Sequence, residues 1–177
     1  THDAHSVSGL RGASRLRRRG VALGAAAFSA PASGPTFAEP KEYRVGNNPD
    51  GLVSGDLNDD GRVDLVTANG SAISVLLNRG DGAFQTRRDY PAGGTSMAIG
   101  DLNGDRKLDI VTAAALLRNA HVSVLVNRGN GTFRAKRDFR TGRGPVSVAT
   151  GDVNGDGKLD LATANVYQPA KSRAYTV

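Results

Sequence analysis

One acidic segment, written three times, constrains this chain more than any other feature. Gly55-Asp-Leu-Asn-Asp-Asp-Gly-Arg-Val-Asp-Leu65 returns as Gly100-Asp-Leu-Asn-Gly-Asp-Arg-Lys-Leu-Asp-Ile110 and as Gly151-Asp-Val-Asn-Gly-Asp-Gly-Lys-Leu-Asp-Leu161. The spacings are 45 and 51 residues. Self-similarity at such a period marks a repeat architecture in which neighbouring units share a core. A second motif recurs between the acidic segments: Ser74-Val-Leu-Leu-Asn-Arg-Gly-Asp-Gly-Ala-Phe84 is matched by Ser123-Val-Leu-Val-Asn-Arg-Gly-Asn-Gly-Thr-Phe133. The phase reaches upstream, because Phe37 precedes Tyr43 as Phe84 precedes Tyr90 and Phe133 precedes Phe139.

Each unit reads as four short strands. Brief apolar segments precede the acidic loops (Leu52–Ser54, Met97–Ile99, Val148–Thr150), and Leu65-Val-Thr, Ile110-Val-Thr and Leu161-Ala-Thr follow them. These residues favour strands. Ile73, Val75 and Leu77 then alternate with Ser74 and Leu76, and Val122, Val124 and Val126 repeat the pattern, which predicts a two-faced strand. The Asn-Arg-Gly-x-Gly stretches supply residues that tolerate positive φ in turns. An aromatic-bearing strand (83–90, 132–139) closes the unit. No 3.6-residue apolar stripe is present, so a helical solenoid is excluded. Four antiparallel strands per unit predict an all-β propeller blade, about three blades in all, forming an incomplete ring. The repeat region opens with the last strand of one unit, holds two full units and stops partway into another.

The acidic loops carry the chemistry. Asp56, Asn58, Asp60 and Asp64 occupy positions 1, 3, 5 and 9; Asp101, Asn103, Asp105 and Asp109 do so in the second copy, and Asp152, Asn154, Asp156 and Asp160 in the third. Oxygens on alternate residues of a tight loop converge, as a hard cation such as calcium requires. Position 7 (Arg62, Lys107, Lys158) would give only its backbone carbonyl, leaving a basic side chain free to point to solvent. Nine of the 17 acids occupy ligand positions, and such clusters repel unless a cation neutralises them. An EF-hand would need a bidentate acid at position 12; Thr67, Thr112 and Thr163 stand there, inside strand-like segments.

These three loops and two Asn-Arg-Gly-x-Gly-x-Phe turns, over residues 35–167, resemble the FG-GAP/VCBS repeat of integrin α-subunit propellers and many secreted bacterial proteins. The resemblance implies a propeller with calcium held between the first two strands of a blade and a surface used for adhesion or ligand binding. Arg106 departs from the pattern at position 6, where glycine is expected. The second turn should therefore be strained or reshaped, and its site the weakest.

Composition bears on the ends. Residues 1–34 hold five arginines and one acid, whereas the other 143 residues carry a net +2, so the overall charge of +6 is mainly a property of this tail. Its basic run, the apolar stretch 21–30 and the small residues near Ala30–Ala32 have the outline of a secretory signal; a disordered basic tail and a nucleic-acid arm are the other readings. Residues 168–177 read as a C-terminal tail. There is no cysteine, hence no disulfide, thiolate zinc site or cysteine nucleophile. No apolar run is long enough for a transmembrane helix. Arg79-Gly80-Asp81 spells an integrin-ligand tripeptide, but Arg128-Gly129-Asn130 fills the same turn, so turn geometry accounts for it. His2, His5 and His121 lack a neighbouring histidine, and no Ser/His/Asp constellation is visible.

The function expected is a non-catalytic extracellular calcium-binding domain, secreted or at the cell surface, with a protein or glycan ligand. The alternative is the propeller portion or accessory domain of a larger secreted enzyme. Nucleic acid is disfavoured as a partner.

Overall fold

The computed structural model describes residues 38–114 and 120–166, with the backbone of strands at 22–25, 28–29 and 36–37. Among these residues the chain is all β. The strands run in order β1 (Ala22–Ala25), β2 (Phe28–Ser29), β3 (Thr36–Phe37), β4 (Lys41–Arg44), β5 (Gly51–Gly55), β6 (Asp64–Ala68), β7 (Ile73–Leu76), β8 (Arg88–Tyr90), β9 (Ser96–Gly100), β10 (Asp109–Ala114), β11 (His121–Leu125), β12 (Arg137–Arg140), β13 (Pro145–Gly151) and β14 (Asp160–Asn165).

The two middle units are four-stranded antiparallel meanders, β5-β6-β7-β8 and β9-β10-β11-β12. Their registers match residue for residue: Val66 faces Val75 and Thr67 faces Ser74, as Val111 faces Val124 and Thr112 faces Ser123. The third unit contributes the hairpin β13-β14. The segment read as a tail contains β1, paired with β4, and β2, paired with β3. The rest of the 1–34 tail, and the 168–177 tail, lie outside the described residues.

The core sits between successive sheets. Val66, Ala68, Ile73 and Val75 of the first unit meet Met97, Ile110, Leu125 and Phe133 of the second. The opposite face of the second unit packs Val111, Ala113, Val122 and Val124 against Val148 of the third. Each middle strand is thus covered on both faces, and all four residues of β7 are buried. The alternation read at 73–77 therefore does not separate a wet face from a dry one. Ser74 is buried because it has partners: it donates to Asp89 at 2.6 Å and accepts from the Asn69 amide at 2.8 Å.

The closing strands are shorter than the pattern predicts. Phe84 and Phe133 lie outside β8 and β12, in single bridges to Asn78 and Asn127. Their rings instead join neighbouring units edge to face, Tyr43 on Phe84 at 4.9 Å and Tyr90 on Phe133 at 5.4 Å. Phe139, in phase with Tyr43 and Tyr90, is half exposed.

Candidate functional site

Each acidic loop winds around its first carboxylate. Asp56 accepts from the amides of Asn58, Asp60 and Gly61 at 3.3, 3.2 and 2.7 Å. Asp101 accepts from Asn103, Gly104, Asp105 and Arg106, and Asp152 from Gly155, Asp156 and Gly157. Burial pulls the Asp56 and Asp101 carboxyls upward, but the converging amides outweigh it and hold both below the ordinary carboxylate range. At Asp152 the Gly157 amide leads, with the same net direction.

The winding demands left-handed backbone at positions 4 and 6. Asp59 and Gly61 have φ of 59° and 78°, and Gly155 and Gly157 both 79°. Arg106 holds φ of 64°. The second loop thus keeps the same turn, strained rather than reshaped, because L-residues are disfavoured there.

Position 9 has a role that spacing alone did not reveal. The two oxygens of Asp64, fully buried, accept from the amides of Leu57 at 2.9 Å and Asn78 at 2.7 Å. Asp109 does the same for Leu102 and Asn127. These carboxylates clamp the loop to the turn beyond β7 or β11. Burial, with the charges of position 5 and position 1 added, pushes the Asp64 and Asp109 carboxyls above the ordinary range despite those amides. Asp160 accepts only from Val153, at 3.1 Å, among the described residues.

Position 5 anchors the return of each loop: Asp60, Asp105 and Asp156 accept from the amides of Arg62, Lys107 and Lys158. The basic side chains at position 7 do not simply extend into solvent. Arg62 pairs with Asp60 at 3.1 Å and Lys107 with Asp105 at 3.3 Å, and both lie close over Gly80 and Gly129 of the adjoining turns. Lys158 is exposed.

No three acidic or histidine side chains among the described residues gather as a ready metal cage. The loops nevertheless fit a cation. Asn58 Oδ1 is buried with no hydrogen-bond partner, within a loop whose first and fifth residues are carboxylates. Carboxylate oxygens have two acceptor directions each, so the amide bonds leave capacity for an ion. A cleft of about 180 Å³ also brings Asp56 and Asp59 toward Asp105, Arg106 and Lys107 of the next loop.

Asn78 and Asn127, expected as turn formers, are cross-links as well. Each accepts through Oδ1 from the glycine two residues on, and donates to the carbonyl just before its position-9 Asp. Asn127 further donates to Leu57 O at 2.9 Å, joining two units. The recurrence of Asn in both turns was the available signal. The Arg79-Gly80-Asp81 turn repeats at Arg128-Gly129-Asn130 with matching φ of 87° and 86° at the central glycines.

A larger cleft of about 500 Å³ lies where β4 meets the first unit, lined by Tyr43, Arg44, Asn47, Phe84, Gln85 and Arg87 among others. It combines aromatic surface with amide and guanidinium donors.

The family profile described as FG-GAP-like repeat matches residues 56–112 and 101–163, so each match starts at a position-1 Asp. The chain belongs to the FG-GAP-like repeat family. No curated protein matches it. Among solved structures, this FG-GAP-like chain is similar to an Agrocybe aegerita lectin described as specifically recognising non-reducing terminal N-acetylglucosamine, with TM-score 0.51 and 25% identity. The similarity covers 73% of this chain and 38% of that one, so the chain spans well under half the lectin's length. No helix among the described residues is long and apolar enough to cross a membrane.

Proposed function

We propose that this chain is a non-catalytic ligand-binding repeat domain whose acidic loops bind calcium and whose ligand is a glycan. The orphaned Asn58 Oδ1, buried in the loop whose first and fifth residues are Asp56 and Asp60, carries the metal reading. Asp56, Asn58, Asp60 and the Arg62 carbonyl would hold the ion in the first loop, with Asp64 bracing the loop from behind. Asp101, Asn103, Asp105, Lys107 and Asp109, and Asp152, Asn154, Asp156, Lys158 and Asp160, are the counterparts. Calcium would supply positive charge that relieves repulsion among the carboxylates. Extracellular modules bind calcium with dissociation constants of about 0.1–1 mM, so a secreted or cell-surface location would suit loops of that affinity.

The similarity to an N-acetylglucosamine-binding lectin supports a glycan ligand, and the cleft of about 500 Å³ beside Tyr43 and Phe84 has the size and lining for a saccharide. Calorimetry with calcium alone, then with N-acetylglucosamine-terminated glycans, tests both parts. Expected are millimolar-range calcium binding and glycan binding that Arg87→Ala weakens. Absence of calcium uptake overturns the metal reading, and glycan binding unaffected by Arg87→Ala overturns the cleft assignment.

A further inference from the structure

The exposed apolar residues fall at the two ends of the array, at positions that are covered in the units between. Leu52 is 51% exposed, whereas its counterparts Met97 and Val148 are 8% and 6% exposed. Val63 is exposed, while its counterpart Leu108 packs into the core between units. At the other end, Val153 is 77% exposed where its counterpart Leu57 is 1% exposed. Phe139 is half exposed where Tyr43 and Tyr90 each meet a phenylalanine of the next unit. The glycines repeat the message. A Cβ on Gly55 would strike Ile99 and Leu108 of the following unit, and one on Gly100 would strike Leu159, but one on Gly151 would meet nothing.

The two ends also hold complementary halves of one sheet. Leu23 of β1 pairs with Tyr43 as Ile73 of β7 pairs with Tyr90 and Val122 of β11 with Phe139. Phe28 pairs with Phe37 as Asn78 bridges Phe84 and Asn127 bridges Phe133. By backbone register, then, β1 and β4 are the third and fourth strands of a unit. β13 and β14 are the first and second strands of a unit, and they form a separate sheet. Edges that are unpaired among the described residues, as those of β1 and β14 are, are templates for another strand.

We propose that a second copy of this chain completes the split sheet: β14 of one copy pairs antiparallel with β1 of the other, and the Leu52 and Val63 end of that copy covers Gly151 and Val153. Carrying the β6–β7 and β10–β11 registers over places Thr163 opposite Gly24 and Ala164 opposite Leu23. The described residues of one chain contribute two complete units and two halves, and propellers have about four to eight blades. Two copies contribute six. The contact is heterologous, joining unlike ends, and such contacts give rings where the rotation closes.

The test is sedimentation of the 177-residue chain, paired with cross-linking between copies. The expected mass is twice 18.4 kDa, halved by Val153→Asp with the far-UV spectrum unchanged, since that side chain lies in solvent within one copy. The chain has no cysteine of its own, so mixing Leu23→Cys and Ala164→Cys chains under an oxidant should yield a covalent dimer that neither variant gives in the same register alone. A monomer at all concentrations overturns the proposal. So does a dimer that Val153→Asp leaves intact and the cysteine pair fails to trap.

Discussion

The side-chain amide of Asn127 donates to the carbonyl of Leu57 at 2.9 Å across 70 residues of chain, and the Gly131 amide reaches the same carbonyl at 3.0 Å. The turn of one unit therefore grips the acidic loop of the unit before it. Among the described residues the Asn78 side chain bonds only within its own unit, donating to Val63 O and accepting from the Gly80 amide, in an exposed setting. Asn127→Ala should cost about 1–3 kcal/mol, because it removes a buried bond between units and takes the side-chain partner from the Leu108 carbonyl and the Gly129 amide, and Asn78→Ala clearly less. Urea unfolding of the two variants checks the order.

Arg106 is the non-glycine residue at position 6 of a loop, at φ of 64°. Arg106→Gly relieves the left-handed strain but adds chain entropy to the unfolded state, for a net gain of roughly 0.5–1 kcal/mol. Gly157→Ala, imposing the same strain at φ of 79° in the third loop, should move stability the other way. Melting temperatures report both, at about 2–4 °C per kcal/mol for a chain of this size.

The Arg62–Asp60 pair, half exposed on its basic side, would compete with a bound cation for the position-5 carboxylate. Such exposed pairs are worth about 0.2–1 kcal/mol. Arg62→Ala should accordingly tighten calcium binding at the first loop by roughly 1.4- to 5-fold, read by calorimetry. Weaker binding would show that the guanidinium is not a competitor.

The pH dependence of the metal-free chain has a definite sign. Asp56, Asp101, Asp138 and Asp152 titrate lower when folded than usual; at Asp138 the Lys136 ammonium and Ser123 hydroxyl are the leading causes. Their stabilisation is present above the unfolded carboxylate range near pH 4 and is lost as pH falls through their folded values. Asp64 and Asp109 are shifted upward and act oppositely, disfavouring the fold once ionised. Asp138→Asn removes one of the stabilising carboxylates, so the variant should lose more stability against the parent chain at pH 6 than at pH 3, read by thermal unfolding at both.

Much of this was legible in the sequence because the repeat repeats its physics. The segments at 52–54, 97–99 and 148–150 lie within β5, β9 and β13, and each acidic loop spans the first two strands of its unit. What stayed hidden depends on neighbours distant along the chain. The burial of Ser74 follows from stacking on both faces, and that of Asp64 from two backbone amides, 7 and 14 residues away. Neither leaves a periodic signature. β1 escaped because Ala-rich sequence with a basic flank carries the pattern of a signal, while its pairing partner lies about twenty residues on at Lys41–Arg44. The exposure of Phe139 reflects its place at the end of the array, which its in-phase aromatic neighbours do not encode.

The central claim is that a divalent ion braces the acidic loops, and thermal unfolding of the full chain in chelator and in about 1 mM calcium tests it most directly. With dissociation constants of about 0.1–1 mM, linkage gives about 0.4–1.4 kcal/mol per loop, so the midpoint should rise by several degrees with calcium and by less when Asp56→Ala and Asp152→Ala remove two loops. Midpoints that coincide in chelator and calcium would contradict the account.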